Sequence, residues 1–239
     1  MFVLAGWRAR LGVIVPSVNK TMEPELYGIV PKGVSLHFSR ITQREDTVEE
    51  LSRMIEGIPK AASELADAEV DLIAFGCTSG SLIGGVGYDK ELINKIENVA
   101  HIPAITTATA VISALNESGI KNVCVATPYQ EEVNKREKKF FEAHGYSVLK
   151  IKGLGCQGPE TADVPIKRVY KLAKEVFISN ADGLFLSCTD LRTLDIIEAL
   201  EYDLNKPVVS SNQATMWMML RKVGIKEPIR GYGGLLNNI

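Results

Sequence analysis

Two segments of this chain share one pattern at an offset close to half its length. In Phe75-Gly76-Cys77-Thr78-Ser79-Gly80-Ser81, an apolar run from Val70 delivers a cysteine, then small residues with backbone amides and hydroxyls to spare. Gly183-Leu184-Phe185-Leu186-Ser187-Cys188-Thr189-Asp190 repeats the pattern, with Cys188 lying 111 positions after Cys77 in a chain of 239. A second pair tests for coincidence: Leu11-Gly12-Val13-Ile14-Val15-Pro16-Ser17 matches Asn122-Val123-Cys124-Val125-Ala126-Thr127-Pro128-Tyr129, and Pro16 and Pro128 are 112 positions apart. The two offsets agree within one residue. A looser third pair, Ile102 to Thr107 against Lys206 to Ser211, is offset by 104, as a small deletion in the second half would produce. The chain therefore reads as a duplicated domain in which each half contributes one cysteine.

The elements between these anchors alternate strand and helix. Leu11 to Val15 is followed by Asn19 to Glu25, where polar capping residues and early carboxylates suit a helix start. Val34 to Ile41 alternates with the period of two expected of a strand. Thr47 caps the next helix, Glu50 supplies a capping-box acid, and Pro59 kinks or divides that helix. Val70 to Cys77, the helix Asp89 to Val99 and the strand Ile102 to Thr106 bring the first half to its end near Ser113. The second half has strands at Val123 to Ala126, Ser147 to Ile151, Gly183 to Ser187 and Val208 to Ser211. Helices are expected over Glu131 to Ala143, closed by His144-Gly145, and over Val164 to Ile178, Leu191 to Tyr202 and Gln213 to Val223. Helices of this length between strands imply parallel sheets covered on both faces. The expected class is α/β, with two pseudo-symmetric Rossmann-like or flavodoxin-like domains. Residues 1–113 plus about 213–239 form one domain and residues 114–212 the other, with the active site in the cleft between them.

In parallel sheets ligands sit at the carboxyl ends of the strands. Cys77, Ser17, Tyr129 and Cys188 all fall there. Facing domains would put one thiol on each side of a cleft, and a turn that opens a helix favours thiolate, so either cysteine suits a nucleophile or a base. Cys124 falls mid-strand and reads as core; Cys156 is a loop thiol without a counterpart. Gly84-Gly85-Val86-Gly87 trails the first cysteine turn and reads as a flap, since no strand is followed by a dinucleotide fingerprint or a Walker lysine.

Composition removes whole classes of function. A net charge of -2 gives no basic surface for nucleic acid. No stretch approaches the ~20 apolar residues of a membrane span. The apolar run Met1 to Trp7 precedes Arg8 and Arg10, the reverse of a signal peptide's order. Four cysteines are too sparse for a disulfide scaffold, which points to a reducing cytoplasm. No C-x-x-C pair occurs and His37, His101 and His144 are scattered, so a metal site is not expected.

The run Gly12-Val13-Ile14-Val15-Pro16-Ser17-Val18-Asn19-Lys20-Thr21-Met22-Glu23-Pro24-Glu25, the paired Cys77 and Cys188, and Ser210-Ser211-Asn212-Gln213-Ala214 resemble the maleate cis-trans isomerases over nearly the whole chain. That family belongs to the cofactor-independent aspartate/glutamate racemase superfamily, with arylmalonate decarboxylases as relatives. The resemblance implies that Cys77 adds to the alkene carbon of a cis-diacid, that the resulting single bond rotates, and that elimination releases the trans-diacid, with Cys188 as partner acid/base. It further implies that Asn19 and Tyr129 bind a carboxylate, assisted by the amides after each cysteine; Ser17, Thr78, Ser79 and Thr189 join the candidate substrate site. Asn19, Thr78, Ser79 and Thr189 equally suit helix caps.

Alternatives stay open at this point. Arylmalonate decarboxylases carry glycine at the first cysteine position, and amino-acid racemases usually read Gly-Cys-Thr-Glu where this chain has Ser187-Cys188-Thr189-Asp190. A hydantoin-type racemase and a non-catalytic small-acid binding protein share the architecture. Maleate isomerases often carry an asparagine in the loop after the Ser147 strand; Gly153 to Glu160 has none, and Gln157 offers the nearest amide. The expected partners are a small carboxylic acid and a second copy of the chain as a homodimer.

Overall fold

A computed structural model describes residues 6–45 and 47–239. Residues 1–5, and with them most of the Met1 to Trp7 run, lie outside the described residues. Among the described residues the strands are β1 (Ala9–Pro16), β2 (Val34–Ile41), β3 (Leu72–Phe75), β4 (Ala104–Thr106), β5 (Asn122–Thr127), β6 (Ser147–Gly153), β7 (Gly183–Leu186) and β8 (Val208–Ser210). They form two four-stranded, all-parallel sheets with the orders β2-β1-β3-β4 and β6-β5-β7-β8. The two orders are one topology used twice, which is what the repeat predicts. The looser third match also holds: Thr106 and Ser210 end equivalent strands, and each caps the following helix by accepting from the amide three residues on, Thr109 and Gln213.

Side-chain alternation explains the burial. Leu11, Val13, Val15, Leu72 and Ala74 face a core that runs continuously into the second lobe, whereas Ile14, Ile73 and Phe75 face a second core on the far side of the first sheet. The helices Thr107–Glu117 and Ser211–Lys222 pack together between the sheets and carry the shared core across the lobes.

Several local expectations need correction. The helix expected over Leu191 to Tyr202 starts late, as a 3-10 turn Leu194–Ile196 leading into Ile197–Leu204, because the amides of Thr193 and Leu194 are engaged by Glu25 of the first lobe. Pro165, with extended backbone, delays the preceding helix to Ile166–Val176. Thr47 does cap the helix Val48–Met54, but the Glu50 carboxylate accepts from the Arg44 amide, 3.2 Å away. Pro59 divides the segment as expected, at the start of helix Ile58–Asp67. Helix Thr107–Glu117 was not expected from the sequence and runs straight through position 113. Among the described residues no helix is long and apolar enough to cross a membrane.

Candidate active site

Both cysteines sit two residues beyond the carboxyl end of a central strand. β3 ends at Phe75, and Gly76 lets the chain pass helix Met22–Ile29 closely: a Cβ there would lie 2.6 Å from the Met22 sulfur. Cys77 then takes extended backbone, φ -142°, and caps helix Thr78–Leu82 with its own sulfur, which accepts from the Gly80 amide at 3.3 Å. Cys188 follows β7 with φ +98°, left-handed space that a side chain seldom occupies. Its sulfur accepts from the Asp190 amide at 3.4 Å. A backbone N–H aimed at each sulfur supports negative charge there. Neither cysteine is in a disulfide.

The two thiols line one cavity. Its wall also holds Pro16, Val18, Asn19, Gln43, Thr78, Ser79, Tyr129, Gly158, Thr189 and Asp190. Among these described residues there is no lysine, arginine or histidine, so the wall offers a bound acid neutral donors. The cavity is about 20 Å³, room for little more than one water, so the lobes are closed on each other.

Hydrogen bonds across the lobes hold that closure. Asn19 Nδ2 donates to Thr189 Oγ1 at 3.0 Å, and Thr189 Oγ1 donates to the Gly76 carbonyl at 3.1 Å. Thr78 Oγ1 donates to Ser211 Oγ at 2.9 Å, which also accepts from the Cys188 amide at 3.1 Å. Asp190 Oδ1 accepts from the amides of Lys20 and Thr21 at 2.6 and 3.0 Å, while burial pushes this carboxyl up to about 6. Asn19 also caps its helix, its Oδ1 accepting from Thr21 and Met22.

Most of the sequence candidates meet here. Cys77, Cys188, Asn19, Thr78, Ser79, Tyr129 and Thr189 line the cavity together. Ser17 does not: it is exposed, and its hydroxyl is exchanged with the backbone of Gln43, donating to the carbonyl at 2.9 Å and accepting from the amide at 3.1 Å. Gln157 is exposed as well, and Gly158 touches the cavity instead. Gly158 has φ +47°, and a Cβ on it would strike the Arg44 carbonyl, so the two covering loops meet at this glycine. The Gly84 to Val86 segment faces away, onto a separate groove beside Lys135, Arg136 and Lys139.

Sequence reasoning missed Gln43, 2 % exposed and part of the wall. The available signal was its place just past Ile41, the carboxyl end of β2, where the strand-end rule puts ligands. Cys124 is buried mid-strand, and His144 closes its helix through Nδ1 on the Phe140 carbonyl at 2.8 Å, so both keep the structural roles expected of them.

The arylmalonate decarboxylase family profile matches residues 11–236. A maleate isomerase of Geobacillus stearothermophilus is 27% identical over 95% of this chain and 97% of its own. An arylmalonate decarboxylase of Bordetella bronchiseptica is 31% identical over 80% of this chain and 81% of its own. The crystal structure of a cysteine-to-alanine variant of the maleate isomerase Iso from Pseudomonas putida S16, with maleate, superposes with a TM-score of 0.93 at 28% identity, covering 96% of this chain and 98% of the other. A profile match over nearly the whole length, with the duplicated parallel-sheet fold and strand-end cysteines, places the chain in the arylmalonate decarboxylase family.

Proposed function

We propose that this member of the family is a cofactor-independent cis-trans isomerase of a small unsaturated dicarboxylic acid, of the maleate-to-fumarate type. The observation that carries the reading is the presence of two thiols on one cavity, each with a backbone N–H on its sulfur. A decarboxylase with glycine at the first position lacks the Cys77 nucleophile; an isomerase needs it.

The chemistry follows from that placement. Cys77 thiolate adds to one alkene carbon, forming a C–S bond, and the π pair moves to the neighbouring carbon and its carboxylate as an enediolate. Cys188 gives its proton to that carbon. Rotation about the new single bond, return of the proton to Cys188 and cleavage of the C–S bond release the trans-diacid and restore the starting thiolate and thiol. The Asn19 amide, the Ser79 and Tyr129 hydroxyls and the backbone amides of Thr78 and Thr189 receive the carboxylate oxygens, where oriented dipoles stabilise developing charge, while the Thr78 and Thr189 hydroxyls donate to Ser211 and the Gly76 carbonyl. The covering loops at Arg44 and Gly158 are the segments whose parting would widen the narrow cavity for a substrate.

The test is proton NMR in deuterated water on a panel of unsaturated diacids, arylmalonates and amino acids. Cis-to-trans conversion supports the reading; loss of carbon dioxide, or exchange at a saturated carbon without isomerisation, replaces it with decarboxylase or racemase. A binding protein would show none of the three. The proposal extends to a homodimer, tested by sedimentation equilibrium, and to a reducing cytoplasm, which suits four cysteines outside any disulfide. The lobes are read as residues 1–113 with 213–239, and 114–212; both boundaries fall inside the packed helices Thr107–Glu117 and Ser211–Lys222, so hydrogen exchange, by showing whether the two sheets open separately or together, tests the division.

A further inference from the structure

We infer that Glu25 and Glu137, one from each repeat, are positioning residues that together hold the strained Cys188 turn; the inference rests on the isomerase reading for its kinetic arm only. The two glutamates lie 112 positions apart, the same offset that relates Pro16 to Pro128, and each sits on the first helix after the first strand of its lobe. Duplication has thus left one carboxyl at the same place in each half, and both have converged on a single cysteine.

The contacts enclose Cys188 from two sides. Glu137 is fully buried, and its Oε1 accepts from the hydroxyl of Ser187, the residue before Cys188, at 2.6 Å. Glu25 reaches across from the first lobe: Oε1 accepts from the amides of Thr193 and Leu194 at 2.7 and 3.1 Å, and Oε2 from Asn212 Nδ2 at 2.7 Å. The same Asn212 amide donates to the carbonyl of Thr189 at 3.0 Å. Residues 187, 189, 193 and 194 are therefore all fixed around a cysteine at φ +98°. Such a conformation persists only where its surroundings over-determine it, and it aims the sulfur. Cys77 sits in relaxed extended backbone at φ -142°, while the hydrogen bonds of both carboxyls go to the Cys188 side. A group that must deliver and recover a proton at one carbon needs such directional control.

The test combines kinetics with cysteine-resolved labelling. Glu137→Leu and Glu25→Leu should each lower kcat at least tenfold with KM changed less than threefold, and Gln at either position should recover most of the loss. Iodoacetamide labelling, resolved by peptide mass spectrometry, should show the Cys188-to-Cys77 rate ratio shifting severalfold in the Leu variants, because opening of the cavity affects both thiols alike and cancels in the ratio. Ser187→Ala, which leaves both carboxyls in place, should shift the ratio in the same direction as Glu137→Leu, and it carries the test if a Leu variant does not fold. An unchanged ratio, or kcat retained in both Leu variants, would overturn the inference. If the wild type turns over no unsaturated diacid, the isomerase reading fails, while the labelling ratio still decides the role of the glutamates.

Discussion

Glu137 offers a quantitative check on the interior behind Cys188. Its carboxyl is fully buried and burial raises it from 4.5 to about 8, against which the Ser187 hydroxyl is only a partial offset. Between those two values the unfolded chain has released this proton and the folded chain keeps it, so the native state binds more protons and stability falls as pH rises. The contribution is fully present below about 4.5 and lost as pH climbs through about 8. Each unit of pH corresponds to about 1.4 kcal/mol, so the full span is about 5 kcal/mol, a large part of the stability of an ordinary domain. Glu137→Gln keeps an acceptor for Ser187 and removes the ionisation. Urea unfolding of both proteins from about pH 5.5 to 7.5 should therefore show the variant gaining on the wild type by about 3 kcal/mol across the window, with effects from other groups cancelling in the difference. A difference that stays flat across those two units would refute a neutral, buried Glu137.

Three further outcomes follow from the cavity. Asn19→Asp keeps the acceptor that caps helix Met22–Ile29 but loses the amide donor to Thr189 and sets a buried carboxylate beside Asp190, so the melting temperature should fall and KM for a diacid should rise at least about ten- to a hundredfold, the worth of a hydrogen bond to a charged group. Gln43→Ala should raise KM about tenfold in steady-state assays, because it removes a buried amide from the wall, whereas Gln157→Ala, on an exposed side chain, should change neither KM nor kcat. The loop Gly153 to Glu160 brings no side-chain amide to the second carboxylate, so substituted analogues should outcompete maleate in kcat/KM; efficient turnover of maleate itself would show that the loop is immaterial.

The fold was legible because its signals are local and repeated. Apolar runs ending in small residues marked β1, β3, β5 and β7, and the common offset revealed that they form two copies of one unit, which the identical strand orders bear out. The same reasoning put Cys77 and Cys188 at strand ends. What stayed hidden depends on contacts between lobes. Ser17 occupies a strand end like the others, yet it ties two loops of its own lobe together. Glu25 looks like a first-turn helix acid, and only the folded chain shows it spanning the lobes to Thr193, Leu194 and Asn212. The late start of helix Ile197–Leu204 has the same origin, since no periodicity within residues 191–202 encodes a carboxylate arriving from residue 25. Gln43 was missed because it stands alone, outside any motif.

The central claim is that Cys77 forms a bond to substrate carbon while Cys188 handles the proton. Intact-protein mass spectrometry of Cys188→Ser incubated with maleate, followed by peptide mapping, tests it most directly. A gain in mass equal to one maleic acid, mapped to Cys77 and absent from Cys77→Ser, is the predicted result. Adduct on Cys188 alone in the wild type, or full turnover by Cys77→Ser, would contradict it.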